Sequence, residues 1–201
     1  MLTYTDQLFE GVDFSGEDFR EAELMRCTFI KCKFIHAQLE EATTSGCRFE
    51  ECDFHGAALN ASIHIESAFT NCSFETANLF VSKFTSCKMT GSDFTRSELN
   101  GITIVKGDWS YTNLRHVKLD KQSLREVRLV EADLMGASLE KSDLRKCDLS
   151  RANLNQTNLS GADLRGAELE GVPWMTVNVK GARMDTAQAI SMLRSFGAKV
   201  E

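Results

Sequence analysis

Large apolar residues recur at every fifth position along almost the whole chain. The series opens with Phe9, Phe14, Phe19, Leu24, Phe29, Phe34 and Leu39, and closes with Trp174, Val179 and Met184. From Leu114 to Leu169 every member is leucine. Of the 36 positions in this frame, 34 are large and apolar, and the frame never slips. The residue two places before each is small as well: Ala22, Ala37, Ala57, Ala132 and Ala162 are examples, with Ser, Thr, Val or Cys at most others. A period of five fits neither a helix at 3.6 nor a strand at 2.0. It requires a backbone that turns a corner every five residues. Four corners close a square coil of about twenty residues, and coils stack at the strand spacing of about 4.8 Å. The large and the small residue both point into a narrow core. The pattern predicts an all-β quadrilateral coil.

Thr44 and His64 alone break the central series. They fall in the column of Leu24, Phe84 and Ile104 and admit two readings: a satisfied polar pair in an irregular coil, or a bulge or short loop used for recognition. Ile63 and Ile65, beside His64, are then expected to face outward. Gly107 occupies the small slot before Trp109, which suggests that it makes room for the indole. After Met184 the period changes. Asp185 and Gln188 form a capping box, Ile190, Leu193 and Phe196 recur at helical spacing, and Gly197 stops the helix. The expected domains are a coil over 1–184 and a capping or dimerisation helix with its tail over 185–201. A solenoid end needs such a cap, and the same apolar helix suits a dimer interface.

Composition narrows the functional classes. Seven cysteines invite a metal or disulfide reading, but Cys27, Cys32, Cys47, Cys52, Cys72, Cys87 and Cys147 all occupy the inward small slot, with no CxxC pair. They act as small buried hydrophobes. Twenty-residue spacing puts Cys27 over Cys47, and Cys32 over Cys52 over Cys72, near enough for disulfides. A reducing compartment favours free thiols. No phosphate loop, HExxH or GxSxG motif is present, so no catalytic, cofactor-binding or metal residue is assigned and the chain is expected not to be an enzyme. His36, His55 and His116 fall at outward positions. No apolar run reaches the roughly 18 residues of a membrane helix, and the first ten residues do not resemble a signal peptide. A cytoplasmic protein without membrane contact is expected. The net charge of −6 disfavours direct nucleic-acid binding.

Ala132-Asp133-Leu134-Met135-Gly136, Ala152-Asn153-Leu154-Asn155-Gln156 and Ala162-Asp163-Leu164-Arg165-Gly166 carry the A(D/N)LXX signature. The chain resembles the pentapeptide-repeat family over roughly residues 7 to 184. The resemblance implies a right-handed quadrilateral β-helix, here of about nine coils or a rod of ~43 Å, with a short C-terminal α-helix. Asp143 to Cys147, Val172-Pro173-Trp174, Gly181-Ala182-Arg183 and the terminal helix look most similar to the fluoroquinolone-resistance (MfpA and Qnr) group. That likeness implies a homodimer joined at the C-terminal ends, a DNA mimic that binds DNA gyrase or topoisomerase IV and modulates fluoroquinolone sensitivity. The frame admits no large insertion, as in loopless members.

On that reading the candidate partner-binding acids are Asp13, Asp53, Asp93 and Asp133 on one face and Glu40, Glu41, Glu98 and Glu140 on another. The candidate dimer interface is Trp174, Ile190, Leu193 and Phe196. The charge is uneven. Residues 1–100 hold 16 acids and 8 bases, net −8, whereas residues 101–201 hold 13 acids and 15 bases, net +2. The face of Arg125, Arg145, Lys146, Arg165 and Arg183 is basic. Two alternatives stand beside gyrase binding: a protein–protein adaptor using outward Phe80, Val81, Ile30 and Ile35, and self-resistance against another topoisomerase poison.

Overall fold

A computed structural model describes residues 2–200. The chain winds as a right-handed quadrilateral β-helix closed by one α-helix. Both inward positions of each pentad are sequestered: Phe29, Phe34, Phe54 and Phe74 with Ala22, Ala37, Ala57 and Ala77 are buried to completion. Phenylalanines one coil apart stack face to face. Phe29 and Phe49 lie 4.7 Å apart at 2°, and Phe54 and Phe74 4.9 Å apart at 3°. Every fifth residue from Asp6 to Gly181, Thr176 apart, turns a corner with φ between 48° and 74°. Most side chains avoid that left-handed region at a cost, so each corner is held by the stacked coils rather than by its own preference.

The sheets are parallel, with partners twenty residues apart. One has six strands: β1 (Thr3–Thr5), β3 (Glu23–Met25), β5 (Thr43–Ser45), β7 (Ile63–Ile65), β9 (Lys83–Thr85) and β10 (Thr103–Val105). The adjacent face has four: β2 (Leu8–Glu10), β4 (Thr28–Ile30), β6 (Arg48–Glu50) and β8 (Ala68–Thr70). Extended strands therefore span about five turns of the ladder, fewer than the nine coils expected. Beyond β10 the coils are joined by single bridges, down to Asp163 with Arg183. The reason lies in the corners. In the second half they are tight turns, such as Val127 N–H to Leu124 O at 3.2 Å and Ala132 N–H to Leu129 O at 3.1 Å. Each tight turn leaves one residue per side for pairing. The ladder is also interrupted between residues 96–106 and 115–125.

Thr44 and His64 sit in regular strands, β5 paired to β7 in register, so neither marks a bulge or loop. His64 is 2% exposed, and its neighbours Ile63 and Ile65 do face outward. Its Nδ1 lies 2.9 Å from Thr44 Oγ1 and its Nε2 2.9 Å from Ser62 Oγ. Thr44 Oγ1 donates to Ser67 Oγ at 3.0 Å, and Ser67 Oγ donates to Ile65 O at 3.0 Å. One proton assignment satisfies the chain: Nδ1–H donates to Thr44, and Ser62 donates to Nε2. Burial pushes the imidazole down to about 3, which keeps it neutral. Gly107 serves the backbone instead of the indole. With φ 102°, a Cβ there would sit 2.4 Å from the Cys87 carbonyl oxygen one coil below.

The coil ends at α1 (Thr186–Ser195), with the expected capping box at Asp185 and Gln188. Gln188 does more than cap. Its Nε2 donates to Leu164 O at 2.6 Å and Ala167 O at 2.8 Å, two carbonyls of the terminal coil.

Candidate interaction surfaces

With the interior filled by packing, recognition falls to the outward positions and the rod end. Asp13, Asp53, Asp93 and Asp133 occupy one ladder, alternating with Lys33, Ser73, Asn113 and Asn153. The acids are thus two coils, or ~9.6 Å, apart. Each first serves its own corner. The Asp53 carboxylate accepts the His55 N–H at 2.9 Å, Asp93 accepts the Thr95 N–H at 2.8 Å, and Asp13 and Asp133 do the same for Ser15 and Met135. Asn153 makes the same bond to the Asn155 N–H, at 3.2 Å. The amide therefore replaces the acid without loss of the turn, and the charge is surplus to folding.

Ion pairing separates the two halves. Among the described residues, Asp13, Asp53, Asp93, Glu40, Glu41 and Glu98 have no ion-pair partner. Asp133 lies 3.5 Å from Arg115, and Glu140 2.7 Å from Lys141. The two candidate acids of the C-terminal half are thus neutralised, and the six of the N-terminal half are free. Glu40 keeps one carboxylate oxygen buried and unpartnered. The basic face is also self-compensated. Arg145 and Arg165 each grip the aspartate two residues earlier at 2.6 Å. The Arg165 guanidinium holds the Asp163 carboxyl down at about 2.

The four residues expected at a dimer interface are not equivalent. Trp174 is 3% exposed and belongs to the core, within a 3-10 turn over Trp174–Thr176. Ile190 is half-buried. Leu193 and Phe196 on the helix are 51% and 50% exposed, and Met175 in the terminal coil is 82% exposed. The frame itself turns this position outward, as it does Met25.

All seven cysteines are free and buried. Six thiols donate to backbone carbonyls one coil below: Cys47 to Leu24 at 3.2 Å, Cys52 to Phe29 at 3.3 Å, Cys87 to His64 at 3.4 Å, Cys72 to Phe49 and Cys32 to Phe9 at 3.5 Å, and Cys147 to Leu124. Burial pushes the Cys47 and Cys87 thiols up to about 11 and Cys147 to about 12. Among the described residues no group of three or more His, Cys, Asp or Glu side chains can hold a metal ion. No helix of the described residues is long and apolar enough to cross a membrane.

A family model described as a pentapeptide repeat region matches residues 3–79 and 77–154, and a second, of eight pentapeptide repeats, matches 142–172. No curated protein matches the sequence. Among solved structures, full-length QnrB1, a plasmid-mediated fluoroquinolone resistance protein, is 23% identical with a TM-score of 0.85, covering 98% of this chain and 100% of that one. A trypsin-treated variant of QnrB1 is 24% identical with a TM-score of 0.88, covering 98% and 99%. At these identities the likeness is one of fold.

Proposed function

The chain belongs to the pentapeptide-repeat family, and from that premise we propose that it is a non-enzymatic DNA mimic that binds DNA gyrase or a related type II topoisomerase and modulates fluoroquinolone sensitivity. The observation that carries this reading is the set of six unpaired carboxylates on the N-terminal half, with Asp13, Asp53 and Asp93 in one ladder and Glu40, Glu41 and Glu98 on another face. The regular spacing of the three aspartates offers a topoisomerase DNA channel a line of fixed negative charge. The density is in the right range. A net −8 over the first hundred residues, about five coils or ~24 Å, is one charge per ~3 Å, against one per ~1.7 Å of duplex DNA. The whole chain, at −6, would be far too dilute. The N-terminal coils are accordingly the part that enters the channel. Two copies joined at Leu193, Phe196 and Met175 would present one acidic arm to each side. The partner is a protein, with no direct contact to nucleic acid.

A gyrase supercoiling assay with the purified protein, with and without a fluoroquinolone, tests the proposal. The expected outcome is inhibition at high protein concentration and relief of drug-stabilised cleavage at low concentration. No binding, no inhibition and no protection would reject it. The adaptor reading is favoured by one feature, the exposure of Phe80 and Val81 at 49% and 46% on a corner. Capture of a defined non-topoisomerase protein that is lost in Phe80→Ser would select it.

A further inference from the structure

In each pentad the N–H groups of the large inward residue and of the corner donate to the next coil, and the N–H between small and large residues donates to the previous one. Apart from the Pro173 turn, where the Leu154 and Gln156 N–H groups reach no carbonyl of the next coil, that ladder opens once. The N–H groups of Arg96, Leu99, Gly101, Ile104 and Lys106 reach no carbonyl of the following coil, and those of Lys118 and Ser123 none of the preceding coil. Glu98 and Lys118 are unbridged, although Asn78 pairs with Glu98 and Lys118 with Ser138. On the opposite side the coils stay closed through Phe94 N–H to Asn113 O at 2.9 Å, Trp109 N–H to Arg128 O at 2.7 Å and Arg128 N–H to Gly107 O at 3.1 Å. The result is a seam across two adjacent sides, hinged along the other two, which makes β10 an edge strand in mid-rod. Three cavities lie along it, of about 230, 210 and 360 Å³.

The cause is in the small slots. On these sides the inward small position is Ala37, Ala57 and Ala77, or Ala42, Ser62 and Ser82, before the seam, and Ala137 and Ser142 after it. At the seam it is Val117 on one side, and Ile102 under Gln122 on the other. Three side chains larger than the alanines and serines of these two columns fall at the seam, and Gln122 is only half-buried. The lining is cationic in a chain of net negative charge. Arg96, Lys106, Arg115, Lys118 and Arg125 face it against Glu98 and Glu126. Glu126 is shared between Lys106 at 3.7 Å and Arg125 at 3.6 Å, and Lys118 has no ion-pair partner among the described residues.

We propose that the seam is a docking site for an extended, acidic peptide segment of a partner protein, which adds a strand to the β10 edge. Unpaired backbone donors and acceptors in register are the template that strand addition uses. Arg96 and Arg115 are engaged by Glu75 and Asp133, so Lys118, with Lys106 and Arg125 sharing the single Glu126, selects the sign of the guest, and the hinge lets the coils part to admit it. The site shares only Glu98 with the acidic N-terminal surface, and its test involves no topoisomerase, so it stands or falls independently of gyrase binding.

Panning a phage-displayed random dodecapeptide library against the full-length protein, followed by amide hydrogen exchange, tests this. The seven seam amides are expected to exchange at least about tenfold faster than their equivalents one coil away. Selected peptides should be rich in Asp and Glu and should slow those seven amides. The triple variant Ile102→Ala, Val117→Ala, Gln122→Ala should close the seam, protect the amides and lose the peptides. Should that variant misfold, Lys118→Glu with Arg125→Glu alters only the surface, and it should weaken the acidic peptides about tenfold. Amides already as slow as their neighbours overturn the proposal. So do neutral or basic winners, peptides bound elsewhere, or peptides indifferent to both variants.

Discussion

The thiol of Cys52 has two duties, filling a slot and donating to the Phe29 carbonyl. Cys52→Ser keeps both size and donor, whereas Cys52→Ala loses the thiol bond and the sulfur's packing and should cost about 1 kcal/mol more in urea melts. The slot itself was legible in the sequence, since all seven cysteines share it. The bond was not, because it depends on which corners close as tight turns. With every thiol buried, and Cys47, Cys87 and Cys147 raised to about 11 or 12, the native protein should leave a thiol reagent unreacted at pH 8 and release seven equivalents when unfolded. His64 makes a pH prediction. Its folded value near 3 lies below the ordinary ~6.5, so the unfolded chain takes up the proton first. The contribution is intact above pH ~6.5 and is lost as pH falls toward 3, at up to about 1.4 kcal/mol per pH unit. Urea midpoints of the native protein and His64→Phe, compared from pH 7.5 to 4.5, should converge or cross as pH falls. Parallel curves would reject the assignment.

At the scale of elements, the terminal helix is tied to the coil by one side chain. Gln188→Ala removes two bonds to terminal carbonyls and half of the capping box, and should cost about 2–3 kcal/mol by thermal melting. Gln188→Glu keeps the capping acceptor but cannot donate to the carbonyls, so it should be no better. The Asp185–Gln188 spacing made the helix start plain. The reach to Leu164 and Ala167 is set by how the helix docks, which no local pattern encodes. The seam was missed for a related reason. The large inward series stays apolar through Leu99, Ile104, Leu119 and Leu124, and only the volume of the companion slot changes. Gly107, on the closed side of the seam, has no room for a side chain. Gly107→Ala should cost about 3 kcal/mol or more, since a backbone carbonyl one coil below stands in the way.

For the whole molecule, the separation of charge from fold is directly testable. Asp13→Asn with Asp53→Asn and Asp93→Asn keeps each turn bond, as Asn153 already does, and removes three unpaired charges. Melting temperature should change little, while gyrase inhibition should weaken at least about tenfold, because three contacts of ~0.5–1 kcal/mol are lost. Equal loss from Asp143→Asn or Asp163→Asn, whose charges are already paired, would show that position on the rod does not matter. The β-helix and its frame were fully legible, because a strict period admits one closed path. The apolar rod end was legible only in part: Leu193 and Phe196 project from it, but Trp174 satisfies the frame and is drawn inside. That frame has a genetic corollary. Four pentads return the chain to the same side, so the rod is written like a text read in fives. Removing one pentad, such as Ala152 to Gln156, should leave a foldable coil yet rotate all that follows by a quarter turn. Removing twenty residues shortens the rod and keeps every column in line. Surface patterns in such a protein can therefore be transposed between sides by small deletions, without a single substitution.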